Sequence, residues 1–327
     1  MLSVISLEDE VINLDFIKGF TFGYMSKRGE WETDEAKESL RILKERCAID
    51  HVVLTVVAEQ DHPQSISIHW RNHPNVVSDH EIISMIEYAR SLDLKVILKP
   101  MVNVSDGTWR AHINFFDTDV PCEPKWSEWF EAYNEFILHY AKIAEKLKCD
   151  MFVIGCEMVN ADRREQEWRH LISRVRKQYS GLITYNCDKY QEDVLKWWDA
   201  VDVISSSGYY PIDAWEEQLD RIERVVLKHD KPFFFCEAGC PSWEGGEFLP
   251  NDWTLRGKVN VDVQKRWYEE MFRATSKRDW VRGFAMWDWK AQLYPIEMAE
   301  ENQDYAVYGK PAETIINQFY RDIAEFK

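Results

Sequence analysis

Residues 78–100 read SDHEIISMIEYARSLDLKVILKP. Ser78 with Glu81 three positions on forms a capping box, so a helix is expected over Asp79 to Ser91. The apolar run behind it predicts a strand from Lys95 to Met101. The same alternation recurs along the whole chain. Strands are expected at Ile17 to Tyr24, His51 to Val57, Lys95 to Met101, Met151 to Glu157, Leu182 to Cys187, Asp202 to Ser206, Pro232 to Glu237 and Val281 to Trp287. Helical periodicity fills the gaps at Asp34 to Arg46, Asp79 to Ser91, Trp126 to Leu147, Glu165 to Tyr179, Glu192 to Ala200, Ala214 to His229 and Asp262 to Thr275, with Ala312 to Phe326 closing the series. Eight strand and helix units in about 310 residues predict an α/β fold, a single (β/α)8 or TIM barrel forming one catalytic domain over residues 1–327. A doubly wound sheet would more usually carry a Gly-rich phosphate turn after its first strand, and neither G-x-G-x-x-G nor G-x-x-x-x-G-K-[ST] occurs.

Composition narrows the function classes. Apolar residues make up 45% of the 327, and 15 are Trp, which suffices for a large core and excludes disorder as the main description. With 57 acidic and 40 basic side chains the formal charge is -17, which opposes a phosphate backbone and anionic lipid, so neither nucleic acid nor a membrane is expected as a partner. No run approaches 18 uncharged apolar residues, so no membrane span is expected. The opening residues MLSVISLEDEVINLD lack a basic region and place Glu8, Asp9 and Glu10 where a signal peptide has its apolar segment. Seven cysteines, an odd number, suit a reducing compartment. A cytoplasmic protein is therefore expected.

A barrel of this type assembles its site where strands end, on the C-terminal face. Strand four reads DMFVIGCE and ends at Glu157; strand seven reads KPFFFCE and ends at Glu237. A single Glu there is commonly the first solvated residue after a strand, but two, each preceded by Cys and a buried run, are the pair that glycoside cleavage requires, one as acid and one as nucleophile. Aromatic side chains near other strand ends, Trp109, Tyr209, Tyr210, Trp243, Trp253 and Trp287, offer flat faces to the C–H faces of sugar rings. Lys99, Arg110 and Asn186 are candidate polar contacts to a sugar. Trp168, Trp197 and Trp267 fall in expected helices and are read as packing. Metal and cofactor chemistry is not expected: His69 and His73 lie four apart, but Pro74 argues against the helix that would make them ligands, and Cys236 with Cys240 lack a second pair. Cys156 and Cys236 are read as small apolar residues beneath the glutamates.

The stretches KGFTFGY, SDHEIISMIEYARSLDLKVILKPMV, FVIGCEM, EWRHLISRVRKQYSGLITYN and FFFCEAGCPS, with the late DYAVYGKPA, resemble glycoside hydrolase family 113, the β-mannanase family of the large retaining clan. The resemblance runs from about Lys18 to the C-terminus. It implies Glu157 as acid/base, Glu237 as nucleophile, and Tyr209 or Tyr210 as a donor to Glu237. The clan's usual pair on strand four is Asn-Glu, whereas Cys156 stands here before Glu157, which leaves the contact to the sugar 2-OH to be found elsewhere. The implied function is a retaining endo-β-1,4-mannanase acting on β-mannan or manno-oligosaccharides. The alternatives are another β-glycosidase of the clan (a β-mannosidase, or one active on glucan or galactan) and a non-catalytic sugar-binding barrel.

Overall fold

Eight strands, apolar on both faces, close on one another in chain order as a parallel barrel. The computed structural model describes residues 12–254 and 257–325. The strands are β1 (Ile17–Phe22), β2 (His51–Gln60), β3 (Lys95–Val104), β4 (Met151–Cys156), β5 (Leu182–Cys187), β6 (Val203–Ser207), β7 (Phe233–Ala238) and β8 (Val281–Trp289). Among the described residues seven α-helices pack around them: α1 (Asp34–Cys47), α2 (Asp79–Ser91), α3 (Trp126–Lys146), α4 (Glu165–Arg176), α5 (Trp215–His229), α6 (Val261–Thr275) and α7 (Pro311–Glu325). The expected (β/α)8 class is therefore the observed one. The capping box holds as read: Ser78 Oγ accepts from the Glu81 amide, and the Glu81 carboxylate accepts from the Ser78 amide. The expected last residue of the final helix, Phe326, lies outside the described residues, as do residues 1–11 of the opening stretch.

One expected helix is absent. Residues 192–200 form turns and a short 3-10 helix, Trp198–Ala200, so the path from β5 to β6 is not helical. The helical pattern read there comes from Trp197 and Trp198, which are fully buried and tie the chain down by donating to the Asp162 and Glu192 carbonyls at 3.0 and 2.8 Å. Glu192 is itself fully buried, accepting from Ser206 Oγ at 2.5 Å and Arg221 Nη2 at 2.6 Å. These anchors satisfy the segment through side chains instead of a helical ladder.

Alternation along the strands sorts side chains into two cores. Ile17, Val53, Ile97, Met151, Val153, Val203, Phe234, Cys236 and Ala285 pack in one cluster inside the barrel. Phe152, Ile154, Phe233 and Phe235 belong to the larger cluster against the helices, where α5 contributes the stripe Trp215, Leu219, Ile222 and Val226.

Strict alternation fails near the upper ends of three strands. Between Val153 and Cys156, β4 advances three residues while β5 advances two, from Thr184 to Asn186. Between Phe235 and Glu237, β7 advances two while β6 advances one. From Met286 to Trp289, β8 advances three while β1 advances two. Each is a bulge, and a bulge re-aims the side chains beyond it. A regular β7 would turn Glu237 to the helix side with Phe235; the extra residue turns it inward. In β4 the extra residue lets Ile154 and Gly155 both face the helices. A Cβ on Gly155 would sit 2.8 Å from the Trp168 ring and 2.9 Å from the Tyr133 hydroxyl, so only Gly fits.

Candidate active site

Above the bulges the barrel opens into a cleft of about 490 Å³, whose walls include Tyr24, Asn103, Trp109, Arg110, Glu157, Asp188, Lys189, Tyr209, Glu237, Trp253, Trp287 and Asp288. Glu157 follows β4 directly with φ 51°, a left-handed conformation uncommon for a residue with a Cβ, and its amide donates to the Asn186 carbonyl at 2.8 Å. That turn and the β7 bulge bring two carboxylates from separate strands together. An oxygen of each and the Cys156 sulfur lie within 4.8 Å of one another.

The two carboxylates have different surroundings. Glu237 is buried and accepts from Lys99 Nζ at 2.5 Å and Cys156 Sγ at 3.3 Å on Oε1, and from the Tyr209 hydroxyl at 2.8 Å on Oε2. Burial pushes its carboxyl up, but the Lys99 charge and hydrogen bond, the Arg110 charge and the Tyr209 hydroxyl together outweigh burial and hold it below the usual glutamate value. Glu157 accepts from Arg110 Nη1 at 2.9 Å and from the Trp109 indole at 3.3 Å on Oε2, and from Ser207 Oγ at 2.7 Å on Oε1. Arg110 is held in turn by the Val102 carbonyl at 3.1 Å and Asn103 Oδ1 at 2.7 Å, and Asn103 donates to the Tyr24 hydroxyl at 3.0 Å.

Beneath both runs a continuous chain of hydrogen bonds. Lys99 Nζ donates to Glu237 and, at 2.7 Å, to Asn186 Oδ1; Asn186 Nδ2 donates to Ser207 Oγ at 2.9 Å; Ser207 donates to Glu157. Lys99, Asn186 and Ser207 are all fully buried. The amide orientation of Asn186 follows from its partners, its oxygen toward the cation and its nitrogen toward the hydroxyl.

Of the residues singled out from the sequence, Glu157, Glu237, Trp109, Arg110, Tyr209, Trp253 and Trp287 line the cleft. Lys99 and Asn186 do not reach it: they lie under the carboxylates, where a strand-end position alone could not distinguish floor from wall. Tyr210 points away from Glu237 and bonds Glu192, so the two-tyrosine alternative resolves geometrically to Tyr209. Trp243 is buried against the glycines of its own loop, with its ring 3.3 Å from where a Gly257 Cβ would stand, and shapes the loop that carries Trp253 instead of facing the cleft. Trp168, Trp197 and Trp267 are fully buried, Trp197 in the non-helical segment. Cys156 is more than filler, since its thiol meets Glu237. The sequence reading missed Tyr24, Asn103, Asp188, Lys189 and Ser207; Asp188, which directly follows β5, carried the strand-end signal that would have found it.

Cys156, Glu157 and Glu237 form the group of metal-ligating type found among the described residues. Burial pushes the Cys156 thiol well above its ordinary value, and Lys99 and Arg110 already occupy the carboxylates, so the donor set fits a cation poorly.

Residues 20–310 match the model of Glycoside Hydrolase Family 113. Among solved structures, a GH113 β-1,4-mannanase in complex form is 56% identical with a TM-score of 0.93, over 94% of this chain and 99% of that one. A GH113 β-mannanase from Alicyclobacillus acidocaldarius, in complex with ManMIm, is 43% identical with a TM-score of 0.92, over 96% and 99%. A β-glucuronidase from Ruminococcus gnavus, 12% identical with a TM-score of 0.64 over 94% of this chain and 50% of that one, shares the fold. No curated protein matches.

Proposed function

The chain belongs to Glycoside Hydrolase Family 113, and from that premise we propose that it is an endo-acting β-1,4-mannanase cleaving β-mannan or manno-oligosaccharides with retention of configuration. Glu237 attacks the anomeric carbon while Glu157 protonates the departing oxygen; Glu157 then takes a proton from water as the glycosyl-enzyme is released. The observation that carries the reading is the pair of carboxylates with oxygens within 4.8 Å, one of them held ionised. Direct attack by a nucleophile needs carboxyl groups about 5–5.5 Å apart, whereas inversion leaves roughly 6.5–9.5 Å for a water between them.

The partners of each group suit its role. Lys99 and Tyr209 keep Glu237 anionic and fix its rotamer, and burial with the Glu237 charge pushes the Tyr209 hydroxyl well above its ordinary value, so it stays a donor. Arg110, Trp109 and Ser207 aim Glu157 from two sides. Half-buried Trp287, against Tyr24 at 4.5 Å between ring centroids, offers the flat face for a sugar ring. The whole chain acts as one catalytic domain, without cofactor. We assign it to the cytoplasm, supported by seven thiols that are all free, where oligosaccharides are the fitting substrate.

The test is the stereochemistry of β-1,4-mannotetraose hydrolysis followed by proton NMR. The first-formed product is expected to be the β-anomer. Glu237→Ala should lose nearly all turnover, and azide should restore cleavage with formation of the α-mannosyl azide. An α-anomer formed first, or a Glu237→Ala variant as active as the parent, refutes the assignment.

A further inference from the structure

The cleft wall on the Glu157 side ends in a carboxyl that the reaction as written does not use. Asp188 stands immediately beyond β5, lines the cleft, and is only 5% exposed. Its Oδ1 is buried without a hydrogen-bond partner. Lys189 Nζ stands 3.5 Å from that oxygen, close enough for charge attraction but long for a hydrogen bond, and lies 5.6 Å from the Trp109 ring centre. The Trp109 indole in turn donates to Glu157. Glu157, Trp109, Lys189 and Asp188 therefore make one continuous wall, distinct from the side on which Glu237 meets Lys99 and Tyr209.

We propose that Asp188 is a specificity-determining residue of the leaving-group side, its carboxyl binding a hydroxyl of the sugar unit that departs. This rests on the retaining mechanism above, because a group that protonates the departing oxygen fixes on which wall the leaving sugar lies. A buried acceptor left unpaired is costly, and a ligand hydroxyl arriving in the cleft removes that cost. A hydroxyl both donates and accepts, and a protonated carboxyl does the same. Burial and the neighbouring Glu157, offset in part by Lys189 and reinforced by Glu192, push the Asp188 carboxyl above the ordinary aspartate value, which favours its proton-bearing form.

The experiment compares two substrates that share a glycone and differ in what departs: β-1,4-mannotetraose, whose leaving group is a sugar, and 2,4-dinitrophenyl β-mannobioside, whose leaving group has no hydroxyl and needs no acid. Asp188→Leu should lower kcat/KM on mannotetraose by roughly ten- to a hundred-fold and change it on the aryl substrate by less than about threefold. Asp188→Asn keeps a donor and an acceptor and should recover most of the loss. Equal losses on both substrates, no loss on mannotetraose, or an Asn variant as poor as Leu would each overturn the inference. Asp188→Asn is close to isosteric, and thermal unfolding of both variants separates a folding defect from a binding one. An inactive parent enzyme on both substrates would instead refute the mannanase reading and take the inference with it.

Discussion

Replacing Lys99 by Met keeps the length of the side chain and removes its charge. The Lys99 ammonium lies 2.5 Å from Glu237 Oε1, and both side chains are within a few per cent of complete burial. Two unit charges 4 Å apart interact by about 4 kcal/mol at an effective dielectric of 20, and losing one partner of a buried pair costs about 3–5 kcal/mol because the other charge stays uncompensated. With an unfolding entropy of about 2.1 cal/mol/K per residue, a chain of 327 residues loses roughly 1.5 °C per kcal/mol, so Tm at pH 7 should fall by about 4–7 °C. The pH dependence identifies the cause. A carboxylate whose folded pKa is depressed contributes stability that is present above the unfolded value and lost as pH falls through the folded one. Urea unfolding should therefore show the full difference between parent and Lys99→Met above about pH 5, shrinking in more acid solution. The acidic limb of the kcat/KM profile should move to higher pH, since Glu237 no longer has its counter-charge. A Tm within 2 °C of the parent together with an unmoved acidic limb would refute the view that Lys99 holds Glu237 ionised.

Ser207→Ala removes the donor to Glu157 and the acceptor for Asn186 at one stroke, so kcat should drop by about ten- to a hundred-fold with little change in KM, and Tm should fall modestly; unchanged kcat would show that the buried chain does not aim Glu157. Asp162, buried and accepting from Tyr185, is pushed up to about 7 chiefly by burial, so the folded protein holds more protons than the unfolded chain between about pH 4 and 7. Its contribution is a penalty that is absent below pH 4 and grows as pH rises through that window. Asp162→Asn should flatten the fall in urea-unfolding stability between about pH 4 and 7; an identical slope in the two proteins would assign the dependence elsewhere.

What could be read from the sequence followed from which signals are local. Helix α2 was legible to the residue because the Ser78 and Glu81 cap is a short-range contact. Residues 192–200 were misread because a pair of tryptophans serving tertiary packing imitates an amphipathic helix. Glu157 and Glu237 were legible because they follow apolar runs at strand ends, yet nothing in a single strand announces a bulge, and strict alternation would have turned Glu237 outward. Ser207 sits in the run SSS, where no local feature separates it from Ser205 and Ser206. Lys99 and Asn186 showed their polarity but not their depth, which only the closure of the barrel sets.

The bulges in β4, β7 and β8 make the barrel's chemistry tolerant of some sequence changes and intolerant of others in a way a residue-by-residue view hides. Below each bulge, alternation is keyed to packing; above it, the key is reversed and serves the cleft. A substitution in either half stays in its half. Deleting the extra residue at Gly155 or Cys236 would only restore plain alternation and keep the glutamate's phase, whereas a single-residue deletion in the regular run below, at Phe152 or Phe234, would re-phase everything beyond it and carry an intact glutamate toward the helix side. Such a lineage would keep both glutamates in an alignment and still have lost the pair in space, so within this architecture strand length, counted to the residue, is as much a signature of the site as the glutamates themselves.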